Sequence, residues 1–264
     1  MKSEKEFIDQ NKVGDRFSKE RTKRCEDLLI PEARALIDLP LDEKIKKSQE
    51  IIRKAILEYP KIGIGFSGGT DSLVLLHLIL PIKPNIPSVF VDTQHEFPET
   101  YAFIEKVRKD WKLINHTAVM ADKNKMREFK EKFGLKSPDF TITCCEYHKI
   151  APMMKAIGNF GFDAFFVGLR GVEHEERAKE TFFSPRKNPD HIRIHPLLFW
   201  RQKDILDYVK KFNIECNPLY AQGYTSLGCY VCTDKNADPN AHERAGRGIV
   251  REIVMDKLRA LGYT

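Results

Sequence analysis

The chain has 264 residues, 42% hydrophobic and 31% charged, enough for one sizeable core or two small ones. No stretch approaches the ~18 uninterrupted apolar residues of a membrane-spanning helix, and the opening MKSEKEFIDQ has no apolar signal-peptide core, so the expectation is a cytoplasmic protein. Against 38 Asp and Glu stand 44 Lys and Arg, a formal charge of +6 that suits an anionic ligand or nucleic acid without naming one.

Residues 1–58 are highly charged, with weak helical spacing of apolar positions in IPEARALIDL and a clearer one in EKIKKSQEIIRKAILEY. They predict an N-terminal helical extension ahead of a main domain over 59–264. Residues 1–24 carry eight Lys and Arg against five Asp and Glu, which allows either a weak contact with nucleic acid or an acidic partner, or a solvated helix packed on the core. From Ile62 the pattern reads strand, tight Gly-Gly turn, long apolar helix. IPSVFVDT predicts a second buried strand and PETYAFIEKVRKDW an amphipathic helix; DAFFVGL and RIHPLLFW predict further strands, with a helix over RQKDILDYVKKF. AHERAGRGIVREIVMDKLRALGY predicts a terminal helix. Strands alternating with helices give an α/β class: a parallel, twisted sheet with helices on both faces.

The first chemical feature lies where a strand ends and a helix begins. Ser67, Gly68, Gly69, Thr70, Asp71 and Ser72 bring free backbone N–H groups and the helix dipole to one anion-sized space. The glycines let backbone approach a phosphate, the hydroxyls add donors, and Asp71 offers a carboxylate to a divalent metal. The bland alternative is a surface turn. No Gly-Lys-Ser/Thr follows, so this is not a Walker loop.

SGGTDS after an apolar strand resembles the PP-loop of the ATP pyrophosphatase, or adenine nucleotide alpha hydrolase, superfamily. Further stretches are similar in the same order: FVDT ending near Asp92, GLRGVEHEER with Gly168 and Arg170, HPLLFWRQKDILDYV, and NPLYAQGYTSLGCYVCT. Together they cover residues 60–247 and resemble the phosphoadenylylsulfate (PAPS) reductase family. The resemblance implies a HUP-type fold, nucleotide binding by residues 67–72, Asp92, Gly168 and Arg170, and catalytic roles for Asp71 and Arg170.

Within that resemblance, Cys144 and Cys145 followed by Cys229 and Cys232 match the arrangement that holds a 4Fe–4S cluster in assimilatory adenylylsulfate reductases. A structural zinc also takes four thiolates, and four buried small hydrophobes is the bland reading. Lys149, His242, Arg244 and Arg247 follow the cysteine motifs and could offset the negative charge of a cluster and a phosphate. His174 reads as a phosphate contact or a surface residue, and Glu173, Glu175 and Glu176 as solvated.

Two departures from the reductases shape the functional expectation. They carry a catalytic cysteine in the C-terminal tail, whereas here no thiol follows Cys232, leaving Cys25, beside Lys23 and Arg24, and Cys216 as candidate sulfur-carrying thiols. The Ser-Gly-Gly-x-Asp-Ser loop is also in the full form of ATP-cleaving members. The first expectation is therefore an ATP- and Mg²⁺-dependent, iron–sulfur sulfurtransferase that adenylates its target, with nucleic acid as candidate acceptor (DNA phosphorothioation or tRNA thiolation), a cysteine desulfurase as donor, and a homo-oligomer compatible with either. The alternatives are a sulfite-releasing adenylylsulfate or phosphoadenylylsulfate reductase, and a non-catalytic nucleotide- and cluster-binding subunit.

Overall fold

The computed structural model describes residues 20–236, 238 and 241–263, so most of the basic stretch over residues 1–24 lies outside the described residues. Among the described residues three helices come first: α1 (Glu20–Leu28), the short α2 (Pro31–Arg34) and the longer α3 (Leu41–Glu58). The sheet then begins with β1 (Ile62–Gly65), and α4 (Thr70–Ile79) leads to β2 (Ser88–Val91). Next come α5 (Pro98–Asp110), β3 (His116–Val119), α6 (Met126–Phe133), α7 (Pro138–Cys145), α8 (Ala151–Phe160) and β4 (Ala164–Phe166). α9 (Glu175–Ala178), β5 (Phe183–Arg186), β6 (His191–Ile194) and α10 (Gln202–Lys211) follow, and α11 (Ile249–Ile253) and α12 (Met255–Ala260) close the chain.

Six strands form one sheet in the order β3-β2-β1-β4-β6-β5, parallel throughout except for β5, which runs antiparallel to β6 with Phe183 opposite Ile194. The chain builds outward from β1 to β3 and then returns to place β4 on the other side of β1. The carboxyl ends of β1 and β4 therefore flank a switch point, where open α/β sheets bind their ligands. Alternation on the strands decides the layers: Phe166 joins the main core with Ile64 and α4, whereas its neighbour Phe165 packs with Val89, Ala156 and Ile157 on the opposite face. α4 is buried along nearly its whole length because TDSLVLLHLI is apolar all round. Cys25, Leu29, Ala33, Ile37, Ile52 and Ala55 from the N-terminal helices belong to the same core as the sheet.

Three differences from the sequence reading have local causes. Two strands were not anticipated: β3 is a half-exposed edge strand of mixed polarity, and β5 carries Pro185, which an edge tolerates because it donates no ladder hydrogen bond. RIHPLLFW is a strand only to Ile194; Pro196 stops the ladder, and Leu197 to Trp200 are buried in a turn beneath α3. The expected terminal helix is instead a turn around Arg244 followed by α11 and α12. Gly246 and Gly248 precede them, and Gly246 lies so close to the Asp234 carbonyl that an added Cβ would stand 2.3 Å from it. Among the described residues no helix is long and apolar enough to cross a membrane.

Candidate active site

The loop after β1 is shaped by close approaches. Gly68 has φ +76°, the left-handed region open to glycine, and a Cβ there would stand 3.1 Å from Ile104 of α5. A Cβ on Gly168 would stand 2.8 Å from the Ser72 nitrogen, so glycine lets the segment after β4 lie directly against the start of α4. The Ser72 hydroxyl donates to the Gly69 carbonyl at 2.9 Å and accepts from the Ser67 amide at 3.2 Å, which holds the loop around its own helix N-terminus. Gly69 caps α4 without a side-chain acceptor, and the Thr70 amide donates to the Tyr220 hydroxyl at 3.1 Å.

Above this loop lies a cavity of about 580 Å³, walled by Gly69 to Ser72, Gly168 to Arg170, Lys149, Cys216, Arg244 and Arg247. That volume suits a nucleotide-sized ligand. Arg170 is its most constrained cation. Its Nε donates to Asp71 Oδ1 at 2.8 Å and its Nη2 to Oδ2 at 3.3 Å, while Nη1 and Nη2 meet the Glu243 carboxylate at 3.1 and 2.6 Å. Burial together with Glu173 and Glu243 outweighs Arg170 and pushes the Asp71 carboxyl up to about 6. Both Asp71 oxygens are therefore engaged by a guanidinium, where the sequence suggested a metal. Arg247 differs: it is buried, and among the described residues its Nε has no acceptor and its guanidinium no carboxylate partner.

A second space, of about 20 Å³, is lined by Cys144, Cys145, Cys229 and Cys232 together with Lys149 and Arg251. Cys144 and Cys145 end α7, and a π-helical turn over Glu146–Ile150 carries the chain on to α8. Cys229 and Cys232 bracket a single 3₁₀ turn. Lys149 lines both spaces, and its ammonium lies 3.9 Å from Cys229 Sγ, to which the Thr93 hydroxyl also comes within 3.2 Å. Burial, then the neighbouring thiols, pushes Cys144 up to about 12; burial raises Cys232 to about 11 despite Arg251. Among the described residues no three His, Cys, Asp or Glu are arranged to hold a single metal ion.

Other predicted residues fall elsewhere. Asp92 accepts from the Tyr101 hydroxyl at 2.6 Å and the Gln94 amide at 2.7 Å and is not part of the cavity wall. His174 is neither a phosphate contact nor exposed: buried, it caps α9 by accepting from the Glu176 amide, and burial lowers its pKa to about 4. Glu173, expected in solvent, is buried between Arg177, Arg170 and Arg244, which outweigh its burial and hold its carboxyl at about 2. Glu175 pairs with Arg21, and Glu176 with Lys179. Cys25 is fully buried, and desolvation drives its thiol up to about 12, the opposite of the activation that Lys23 and Arg24 suggested. His242 is buried behind Arg244, whose amide donates to its Nδ1 at 3.2 Å. Tyr220 and Glu243 were missed, although both stand inside quoted motifs: each acts through its fold-dependent partner, Thr70 or Arg170.

Residues 61–235 match the family described as phosphoadenosine phosphosulfate reductase domain. Similar proteins include the adenosine 5'-phosphosulfate reductase of Lysinibacillus sphaericus, 32% identical over 75% of this chain and 84% of that protein. Another is adenosine 5'-phosphosulfate reductase 1 of Bacillus subtilis, 30% identical with the same shares covered. Among solved structures, the phosphate complex of the PAPS reductase of Candida auris aligns with a TM-score of 0.58 at 23% identity, over 74% of this chain and 97% of the other. The FMN adenylyltransferase of Candida glabrata aligns at 0.60 and 21%, over 84% and 76%. These two speak for the fold, which is HUP-type. The expectation of ATP-dependent sulfur transfer to nucleic acid is overturned by the curated relatives, which are named as sulfonucleotide reductases. The full PP-loop misled because its donors cradle any phosphate, with or without a pyrophosphate to release. With its nucleotide-sized cavity and adjoining four-cysteine space, the chain belongs to the phosphoadenosine phosphosulfate reductase family.

Proposed function

We propose that the chain is a sulfonucleotide reductase that takes adenylylsulfate and releases sulfite and AMP. The observation that carries this reading is Lys149, which stands in the wall of both the nucleotide-sized cavity and the four-cysteine space. A sulfate placed between them would meet Lys149 and Arg247, which has no carboxylate partner among the described residues, with the loop over residues 69–72 in the same wall for the nucleotide's phosphate. The names of the similar bacterial proteins favour adenylylsulfate as the substrate.

The four thiols fit an iron–sulfur cluster. Four thiolates are its usual complement, and here four cysteines surround one space with two cations beside them. When bound, a cluster held by Cys144, Cys145, Cys229 and Cys232 would supply a charged, redox-capable group. The chain's own residues do the rest. A thiolate attacks the sulfate sulfur, the bond from that sulfur to the AMP oxygen breaks, and AMP leaves with the electron pair. Lys149 and Arg247 hold the sulfonyl oxygens as charge shifts across them. A second thiol, from a dithiol donor such as thioredoxin, then attacks the sulfur of the first. Sulfite departs with its electron pair and leaves a mixed disulfide between the two sulfurs; the donor's other thiol then attacks the donor sulfur of that bond, the chain's thiolate is released, and the donor leaves as a disulfide, oxidised by two electrons. Cys216 lines the cavity and Cys25 does not, which makes Cys216 this chain's candidate nucleophile.

Anaerobic protein given adenylylsulfate and a dithiol is expected to release sulfite and AMP in equal amounts, and Cys216→Ser to lose that release while still binding AMP. Pyrophosphate from ATP and Mg²⁺ without any sulfite would overturn the reading. Sulfite release unaffected in Cys216→Ser would move the first attack to the donor's thiol.

A further inference from the structure

Arg21 lies on α1, far outside the matched region, yet it reaches the cavity wall through buried charges. Its side chain is 1% exposed. One edge of its guanidinium meets Glu175 at 3.2 and 3.0 Å, and Nη1 meets Glu252 Oε2 at 3.1 Å, across 231 residues of sequence. Glu252, on α11 and fully buried, accepts from Arg244 Nε at 3.2 and 3.1 Å and from Nη2 at 2.6 Å. Arg244 lines the cavity. Its Nη1 stands 3.5 Å from Glu173, which in turn stands 3.6 Å from Arg170. Alternating charges thus run without a break from α1 to the loop after β1.

A carboxylate shared by two guanidinium groups has its plane fixed by both, and bidentate pairing passes that orientation on to each partner. Arg244 spans both oxygens of the Glu252 carboxylate, and Arg21 meets one of them, Oε2, which the two guanidinium groups share. Helix α1 has an apolar attachment besides this contact, since Cys25 and Leu29 of the same segment are buried in the main core.

We propose that Arg21 is a positioning residue for the anion-binding wall, acting through Glu252 on Arg244, so that both ends of the chain complete a site whose loop and cysteines lie within the family region. The proposal rests on the reading of the cavity as an adenylylsulfate site. Calorimetry with adenylylsulfate on the full chain tests it. Arg21→Met is expected to raise Kd, and KM with it, about tenfold while kcat stays within about twofold, since one charge-assisted contact is loosened at a distance from the reacting atoms. Arg21→Lys, which keeps the charge but not the fork, is expected to recover most of the loss. In an Arg244→Met background, Arg21→Met is expected to change Kd by less than about twofold, because neighbours acting through one another are not additive. Arg21→Gln, run in parallel, covers an Arg21→Met protein that fails to fold. An unchanged Kd in a folded Arg21 variant, or the full tenfold loss persisting in the Arg244→Met background, would overturn the proposal and leave the cavity reading intact. No adenylylsulfate binding by the wild type would overturn both.

Discussion

Arg170 shows how burial reassigns a residue whose role seems plain in sequence. In the Gly-x-Arg segment it reads as a group waiting for an anion, but a guanidinium this deeply buried is held by carboxylates of the protein itself, Asp71 on one edge and Glu243 on the other. Burial tends to lower its pKa, but the three carboxylates around it more than offset this and raise it well above the ordinary value. Burial and the neighbouring carboxylates also raise Asp71, to about 6, which for a carboxyl favours the neutral form. Below that pH Asp71 is protonated and neutral; above it a negative charge stands in the cavity wall. Adenylylsulfate has no ionisation of its own near there, so its affinity is expected to fall as pH rises through about 6. Asp71→Asn should remove that step and leave a flat profile between pH 5 and 8. Calorimetry across that range decides it, and a wild type without the step would show that Asp71 does not face the ligand.

At the scale of elements, the cysteine site is built where helices change pitch. α7 ends on Cys144 and Cys145, the next turn is π-helical, and Lys149 within that turn is carried to the boundary of the two spaces. A wide turn at a functional site fits the usual occurrence of such turns. The four cysteines were singled out in the sequence through the family resemblance, and the fold brings them around one space. The π turn was not legible there, since EYHKI differs from an ordinary helical stretch only through its packing. Anaerobically purified protein is expected to carry about four irons per chain. Cys144→Ser, Cys145→Ser, Cys229→Ser and Cys232→Ser should each lower that content by iron assay. Cys25→Ser should keep it, because Cys25 lies in the main core and does not line the cysteine space. Colourless protein with one zinc would contradict the cluster.

Over the whole molecule, what could be read in sequence was whatever is encoded locally. β1, β2 and β4 are apolar runs, the loop after β1 is a Gly-Gly turn before an apolar helix, and the resemblance supplied their order. Partners set by the fold stayed hidden: Glu243 on Arg170, Tyr220 on Thr70, Arg21 on Glu252. The boundary at residue 58 poses the same problem, because a charged helical stretch looks detachable until its apolar stripe is placed. Leu29, Ile37 and Ile52 are buried in the sheet's own core, Trp200 donates to Ser48 at 3.0 Å, and Ser48 donates to the Pro196 carbonyl at 2.8 Å. Fully burying a Leu or Ile is worth roughly 1.5–3 kcal/mol, so these three alone rival much of the roughly 5–15 kcal/mol that holds an ordinary domain together. Their loss would also bare the apolar face of α4 that α3 covers. A chain beginning at residue 59 is therefore expected to lose its cooperative thermal transition and near-ultraviolet circular dichroism while retaining helical signal in the far ultraviolet. The test is to record both spectra and the melting curve beside those of the full chain. A truncated protein that melts cooperatively within a few degrees of the full chain would show residues 59–264 to be a self-sufficient domain and the helices before it an attachment.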